Sequence, residues 1–204
     1  MARPSKKQQP DALDARQELL RAAAKLFAER GFNATGVQDI TAAAGVNKAM
    51  LYYYFGSKDG LYDLLIAQGI TAIAEAVAVA EEPGLSLHVR IYRLVSAYLT
   101  VVVEQPEIAR IIYREALGAG ESTRPVVVEH FTRTLQRVAA ILDQAYDDGG
   151  LGKVDTLLAA YSLFGMANMF ISSHFVTGRV LDVPLLADHI VVLFLLGVTP
   201  GGVR

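Results

Sequence analysis

The chain has 204 residues, of which 52% are hydrophobic and 20% are charged, so it contains enough apolar material to form a core. This composition excludes a chain that is disordered throughout. The absence of cysteine excludes a disulfide framework, a thiolate metal site and a cysteine nucleophile. The formal net charge is −2, but residues 1–60 carry nine Lys and Arg against six Asp and Glu. A basic front on an acidic remainder indicates that the front meets an anionic partner.

The first residues, MARPSKKQQPDALDARQ, contain no apolar secretory core, which predicts a cytoplasmic protein. Residues 1–12 combine Arg3, Lys6 and Lys7 with two prolines and few apolar groups. They are predicted to form a flexible basic tail that either is inert or adds electrostatic affinity for the anionic partner.

Helical signals dominate the rest of the chain, and clean strand alternation and Asn-Gly or Asp-Gly hairpin signals are absent. Apolar spacing, capping residues and Gly or Pro punctuation predict nine helices, over about residues 14–30, 35–44, 47–54, 57–82, 86–104, 106–117, 123–147, 153–177 and 184–196. Asp14 with Gln17, and Thr35 with Gln38, have capping-box spacing. The predicted fold is all-α, with one domain over residues 13–60 and a helical second domain over residues 61–204.

One predicted helix contains an uncharged run of eighteen residues from Thr156 to Ser173. That length is close to the length needed to cross a membrane. The run includes five Ser, Thr or Asn side chains and has no cluster of Lys or Arg at either end. A helix that is apolar on all sides and buried in a core or an interface fits these features better, so we expect no membrane segment.

Residues 35–55 combine a short helix, a turn at Gly45-Val46 and a second short helix, which is the pattern of a helix-turn-helix. Ile40, Leu51 and Phe55 are spaced to form the small core between the two helices. In such a motif the second helix lies in the major groove of DNA. The predicted DNA-contacting residues are Thr35, Gln38, Lys48, Ala49, Met50, Tyr52, Tyr53, Tyr54 and Lys58.

Each of these residue types has a chemical reason to meet DNA. Tyrosine hydroxyls donate to phosphate oxygens, and Lys48 can reach a guanine edge or a phosphate. Lys58 lies in the first turn of the next helix, where the helix dipole favours a phosphate. Two alternatives stay open: Gln38 either contacts a base edge or closes its capping box, and Tyr54 either contacts DNA or packs.

A longer set of positions between residues 14 and 65 has a characteristic spacing. They are Gly31-Phe32, Thr35, Ile40, Ala44-Gly45-Val46-Asn47-Lys48, Leu51-Tyr52-Tyr53-Tyr54-Phe55-Gly56-Ser57-Lys58 and Leu61. In these residues the chain resembles the N-terminal domain of the TetR family of bacterial transcriptional regulators. Four positions, Thr41, Asn47, Tyr54 and Gly60, depart from the residues that are common in the family, which affects the operator sequence that is read.

The resemblance implies an all-α homodimer and not an enzyme. Its first three helices would bind a double-stranded, palindromic operator, and its body would dimerise and hold a small-molecule pocket. The function that it implies is a sequence-specific transcriptional repressor that a small-molecule ligand releases from the operator.

The body contains aromatic and apolar side chains with a few polar groups among them, which is the composition of ligand pockets. The predicted pocket residues are Ser96, Tyr98, Thr100, Arg110, Tyr113, His130, Phe131, Met166, Asn168 and Phe170. A second apolar stretch runs from Ile190 to Gly197. One small subunit has little room to bury both this stretch and the uncharged run, so we expect them to lie at a dimer interface. The predicted dimer contacts are Phe164, Gly165, Ala167, Val191 and Phe194.

Two other functions remain as alternatives. The chain could be a helical small-molecule binder or enzyme that keeps the helix-turn-helix only for packing, or a regulator that recruits proteins and has no small effector. No pair of its four histidines has helical metal-site spacing with a helper carboxylate, and no nucleophile-elbow pattern is present. We therefore expect no metal and no cofactor.

Overall fold

The computed structural model describes residues 12–117 and 123–198 of the chain. Over these residues it contains nine α-helices and no strand, which confirms the predicted all-α class. The helices are α1 (Ala12–Arg30), α2 (Val37–Ala44), α3 (Lys48–Phe55), α4 (Lys58–Ala78), α5 (Leu87–Glu104), α6 (Pro106–Leu117), α7 (Pro125–Asp147), α8 (Thr156–Thr177) and α9 (Val183–Val198). The predicted basic tail lies outside the described residues, apart from the residue at which α1 begins.

The first two helices begin with caps other than the predicted ones. Helix α1 begins two residues before Asp14, which therefore lies in the first turn and is not the cap. At α2 the N-cap is Gly36, whose N–H donates to the Asp39 carboxylate at 2.9 Å. The predicted capping box of Thr35 and Gln38 is therefore wrong, because Asp39 closes the turn from one residue farther on.

The boundaries of α3 and α4 follow local signals in the chain. The side-chain oxygen of Asn47 caps α3 by accepting a hydrogen bond of 3.1 Å from the Met50 N–H. Gly45 makes the preceding turn with φ of 68°, a conformation that glycine adopts without steric cost. Helix α4 ends at Ala78, earlier than predicted. Glu82, directly before Pro83, lies outside the helix, as expected because the residue before a proline avoids the helical conformation.

The chain divides into two compact units, residues 1–68 and 69–204. The predicted domain boundary, between residues 60 and 61, lies eight residues earlier, inside α4.

Residues from four helices form the core of the first unit. Leu19 of α1, Ile40 of α2, Leu51 of α3 and Leu61 of α4 are all completely buried. Beside them three aromatic rings pack together, among them Phe27 and Tyr62 with ring centres 4.9 Å apart in an edge-on arrangement; the third is Phe32. Burial of large apolar side chains from every helix holds the short α2 and α3, which are too short to be stable alone.

In the second unit α5 packs against α9, and α7 packs against α8. Leu99, Leu142, Leu163 and Val191 supply one buried side chain from each of these four helices. An ion pair joins α7 to the segment after α4, since the Arg137 guanidinium donates to both carboxylate oxygens of Glu81 at 2.7 Å. This hydrogen bonding lowers the pKa of Glu81 below its ordinary value of 4.5.

Two helices, α4 and α8, are long and apolar enough to cross a membrane by length and composition alone. Core helices pass the same test, and α8 buries Leu163 and Ile171 in the second unit. Within one subunit the core covers only part of α8, because Leu158 is 63% exposed and Met169 is 67% exposed.

Candidate nucleic-acid interface and effector cavity

Helix α3 has one buried anchor and an exposed face. The Leu51 side chain is completely buried, whereas Lys48, Tyr52 and Tyr53 are exposed, Tyr53 to 80%. The Lys48 ammonium lies 5.7 Å from the centre of the Tyr52 ring, within the range of a cation–π contact. Exposed aromatic rings beside a lysine are suited to contact a partner that carries phosphates.

Four other predicted DNA-contacting residues differ in their exposure. Gln38 and Ala49 are exposed, and Met50 and Tyr54 are partly buried. Because Asp39 closes the α2 capping box, the structural alternative for Gln38 no longer applies. Tyr54 packs against the aromatic rings on either side of it in the chain, at 5.0 and 6.1 Å between ring centres, so packing accounts for part of its role.

The structure removes Thr35 from the predicted DNA-contacting residues. Its side chain is only 1% exposed, and its hydroxyl donates to the Gly31 carbonyl at 2.8 Å, with the Leu26 carbonyl 3.3 Å away. A buried hydroxyl that bonds to the end of α1 cannot reach a phosphate. Thr35 instead holds the loop between α1 and α2 in place.

Lys58 has a structural role that the sequence did not reveal. Its ammonium donates to the carbonyl oxygens of Phe32 and Thr35, each at 3.0 Å, and lies 4.0 Å from the centre of the Phe32 ring. A lysine ammonium has three N–H donors, and two of them are engaged here. Its predicted phosphate contact would have to use the third.

The second unit contains a cavity of about 70 Å³, with walls from α4, α5, α6, α7 and α8. Most of the lining is apolar, including Ile70, Ile112 and Leu135, and none of the described lining residues is Asp, Glu, Lys or Arg. Gly69 allows α4 to approach α6 closely, because a Cβ atom there would lie 2.5 Å from Ile112 Cγ1. Five of the ten predicted pocket residues line this cavity: Tyr98, Tyr113, His130, Phe131 and Asn168.

Two hydrogen-bonded pairs lie among the polar residues of the cavity wall, which also include Tyr113. The Tyr98 hydroxyl donates to Asn168 Oδ1 at 3.1 Å, and Thr134 Oγ1 lies 3.2 Å from His130 Nε2. Burial raises the pKa of Tyr98 to about 12, so the phenol keeps its proton. Burial, helped by the positive charge of nearby Arg133, lowers the pKa of His130 below 6.5. Both pairs are therefore uncharged at neutral pH.

The other five predicted pocket residues do not line this cavity. Ser96 and Thr100 face an open groove beside α4, because two residues along a helix turn a side chain through about 200° from Tyr98. The Arg110 guanidinium stacks 4.7 Å from the centre of the Phe175 ring. The remaining two, Met166 and Phe170, pack against the core of the second unit.

Four of the five predicted dimer contacts are buried inside one subunit. Phe164, Ala167, Val191 and Phe194 are each 7% exposed or less, and Phe164 also lines the cavity. They stabilise the core of the second unit and are not free to contact a second copy, so these predictions are wrong. Gly165 is exposed, and a Cβ atom built there would meet no atom within 4 Å.

Sequence reasoning missed Thr134 as a polar group of the cavity. Thr134 is 4% exposed and lies four residues after His130 on α7, which places the two side chains on one face of the helix. That spacing was readable in the sequence once His130 had been chosen.

The histidines take separate roles in the structure. His88 is exposed, His174 Nδ1 lies 2.6 Å from the Arg179 carbonyl oxygen, and His189 packs edge-on against Phe170. Among the described residues, no group of three or more His, Asp or Glu is placed to hold a metal ion.

Comparison with known proteins places the two units in one family. The family model for bacterial regulatory proteins of the tetR family matches residues 19–65, and the model for the tetracyclin repressor-like C-terminal domain matches residues 84–198. The chain is 26% identical over 160 residues to the HTH-type transcriptional regulator HbdR of Aromatoleum sp. (strain CIB), a match that covers 78% of this chain and 69% of HbdR.

Two further similarities concern a short segment and the whole fold. The chain is 51% identical over 51 residues to the HTH-type transcriptional repressor KstR2 of Rhodococcus jostii (strain RHA1), a match that covers 25% of each protein. It is similar to the crystal structure of a TetR-like transcriptional regulator from Rhodococcus sp. RHA1, with a TM-score of 0.76, 28% identity, and coverage of 93% of this chain and 98% of the other. The matched C-terminal domain alone spans more than half of the chain, and the first unit has the helix-turn-helix with an exposed second helix. The chain therefore belongs to the TetR family and is a DNA-binding transcriptional regulator.

Proposed function

We propose that this protein is a homodimeric repressor whose two α3 helices bind a palindromic operator, and which a small molecule bound in the cavity releases from that operator. The observation that carries the DNA contact is the division of α3 into a buried anchor, Leu51, and an exposed face with Lys48, Tyr52 and Tyr53. The second helix of a helix-turn-helix enters the major groove, and the first crosses the backbone. A protein in this role works on the chromosome, in agreement with the predicted cytoplasmic location.

Exposed apolar side chains on α8 and α9 support the dimer. They are Leu157, Leu158, Tyr161 and Met169 on α8, and Leu185, Val192, Leu193 and Leu196 on α9, each at least 43% exposed. Large apolar side chains that are exposed in this number are expected at an interface. The open space at Gly165 leaves room for the close approach of a helix from a second copy. A twofold dimer would present two recognition helices to two half-sites, so that both bind as one unit.

The cavity supports the response to a small molecule. It is apolar, has two neutral polar pairs in its wall, and includes residues of α4, the helix whose first residues lie in the DNA-binding unit. A ligand changes operator affinity only if it binds the released and the DNA-bound forms with different affinities. A coupling of about 1–3 kcal/mol, or roughly 5–150-fold, is typical of allosteric proteins in general.

The DNA-binding part of the proposal can be tested by gel shift. The duplexes are the promoters of the protein's own gene and of its neighbours, with random duplexes of the same length as controls, at salt concentrations between about 50 and 200 mM. We expect one promoter to bind at least about a thousandfold more tightly than random DNA. Equal binding of promoter and random duplexes would favour the alternative in which the helix-turn-helix serves only for packing.

Linkage tests the release by a ligand. If a ligand weakens operator binding by some factor, operator DNA must weaken ligand binding by the same factor. Calorimetric titration of a ligand into the protein, with and without operator duplex, measures both affinities. Equal ligand affinities in the two titrations would contradict release, and would favour a regulator that acts without a small effector.

A further inference from the structure

The cavity wall defines the chemistry of the molecule that it can hold. We propose that the effector is an uncharged, mainly hydrocarbon molecule that carries a hydrogen-bonding oxygen, and that it is neither a carboxylic acid nor an amine. That this molecule regulates DNA binding rests on the proposed function. The ligand chemistry is a property of the cavity and can be measured without DNA.

An acid in the cavity would lack a counter-ion. Burial of an isolated charge is costly unless the charge is paired. None of the described lining residues is Lys or Arg, and the two cations that act on His130 each bind a carboxylate already: Arg133 binds Glu129 at 2.6 Å, and Arg137 binds Glu81 at 2.7 Å. His130 is neutral at neutral pH and shares a hydrogen bond with its neighbour on α7.

An amine would be disfavoured for a different reason. None of the described lining residues is Asp or Glu, so an ammonium group would have no carboxylate to bind. Burial is also the main reason why the pKa of His130 is lowered, so a cation is disfavoured at this wall. An ammonium group beside His130 would be disfavoured for the same reason.

The polar pairs can nevertheless bind an oxygen atom. The proton of the Tyr98 hydroxyl goes to Asn168 Oδ1, which directs the acceptor side of the amide toward Tyr98. The amide N–H groups of Asn168 are donors for a ligand carbonyl or hydroxyl. The pair of His130 and Thr134 provides a second place for such a bond, with donor and acceptor roles that depend on the imidazole tautomer.

The size of the cavity limits the probe. Its volume of about 70 Å³ is smaller than the roughly 300–1,000 Å³ of pockets that hold drug-sized ligands. A short flexible chain is therefore the appropriate probe. 1-Hexanol, hexanoate and hexylammonium share one hydrocarbon chain and differ in the charge of the head group.

The test is an NMR titration of full-length protein labelled at the isoleucine methyl groups, at pH 7.5, with each of the three probes. The isoleucines that line the cavity are Ile70, Ile73, Ile108, Ile112 and Ile171, while Ile141 lies in the core, is not part of the lining, and serves as the control in the same spectrum. We expect 1-hexanol to shift the methyl signals of the cavity isoleucines without shifting Ile141, with a Kd at least about tenfold lower than that of either ion. Absence of cavity shifts with 1-hexanol, or equal or tighter binding of either ion, would overturn the proposal.

A substitution at Asn168 tests the role of the amide. Asn168→Asp keeps an acceptor for the Tyr98 hydroxyl but replaces the amide donors by a carboxylate. It should weaken binding of 1-hexanol by about tenfold and allow hexylammonium to bind. Ser96→Asp, which adds the same charge in the open groove on another face of α5, should leave all three affinities unchanged.

A second variant covers the case in which Asn168→Asp does not fold. Tyr98→Phe removes one oxygen and leaves the ring contact with Phe164, whose centre is 5.2 Å away. It should weaken binding of 1-hexanol by about fivefold, because Asn168 loses the bond that orients it. Unchanged affinity for 1-hexanol in the folded variant would overturn the role of this polar pair.

The proposed function and this inference can fail separately. If the protein binds 1-hexanol in the cavity but prefers no promoter in the gel shift, the inferred ligand chemistry is confirmed and the proposed function is wrong. If it binds its operator but prefers hexanoate, the DNA-binding function is confirmed and the inferred ligand chemistry is wrong.

Discussion

Lys58 and Phe32 are joined by two contacts: the Lys58 ammonium donates to the Phe32 carbonyl oxygen at 3.0 Å and lies 4.0 Å from the centre of the Phe32 ring. The same ammonium also binds the Thr35 carbonyl at 3.0 Å. One side chain from the start of α4 thereby satisfies two carbonyls of the loop that leads into α2. Because this loop leads into α2, Lys58 helps to hold the helix-turn-helix in place.

Lys58→Met should destabilise the protein by about 1–3 kcal/mol, because two loop carbonyls lose a charged donor. Thermal or urea denaturation measures the change, and Lys25→Met, at an exposed position on α1, is the control. If Lys58→Met were as stable as the wild type and instead lowered the salt dependence of DNA binding by about one unit, Lys58 would be a phosphate contact and not a structural one.

Lys48→Ala should weaken operator binding and change the preferred DNA sequence or the salt dependence, depending on whether Lys48 meets a base edge or a phosphate. A base contact of this kind contributes about 1–3 kcal/mol of discrimination. Selection from a random DNA pool, followed by binding at several salt concentrations, separates the two cases. Lys25→Ala is again the control, and a variant with the selected site, affinity and salt slope of the wild type would remove Lys48 from the interface.

Leu193→Glu should break the dimer, because a carboxylate without a partner would be buried between two copies at a cost of several kcal/mol. Val126→Glu, on α7, is a matched control, since Leu193 and Val126 are both 50% exposed. Sedimentation should find the first variant monomeric, with operator binding lost although α3 is unchanged. A dimeric Leu193→Glu protein would mean that the interface lies elsewhere.

Stability should fall with acidification through His130. Burial and the charge of Arg133 lower the pKa of His130 in the folded protein below the ordinary value of 6.5. Between that lower pKa and about pH 6.5, the unfolded chain binds more protons than the folded one, so stability decreases as the pH falls through this range.

Replacement of the His130 imidazole should abolish this loss of stability at low pH. As the pH is lowered from 7.5 to 5, the Tm of His130→Leu should therefore rise relative to the Tm of the wild type. His88→Leu, at an exposed position on α5, controls for the loss of a histidine as such. A Tm difference for His130→Leu that does not change with pH would show that His130 titrates equally in both states.

The helix-turn-helix was predictable because its signals are local. The cap at Asn47, the turn at Gly45 and the spacing of Ile40 and Leu51 all lie within a dozen residues of one another. The roles of Thr35 and Lys58 were not predictable in the same way. Thr35 bonds to residues of α1, and Lys58 reaches back to a loop more than twenty residues earlier in the chain, so neither contact has a signature in nearby sequence.

The amino-acid sequence by itself determined the helical class and the two short helices of the helix-turn-helix, since caps, breakers and periodic apolar residues act over one or two turns. Only the tertiary structure decided which face of each body helix points inward. On α5 the faces of Ser96 and Tyr98 were both plausible, and packing against α8 selected Tyr98 for the cavity. Helices α8 and α9 are apolar nearly all round, so periodicity could not tell buried Val191 from exposed Leu193, which packing of α9 against α5 decides.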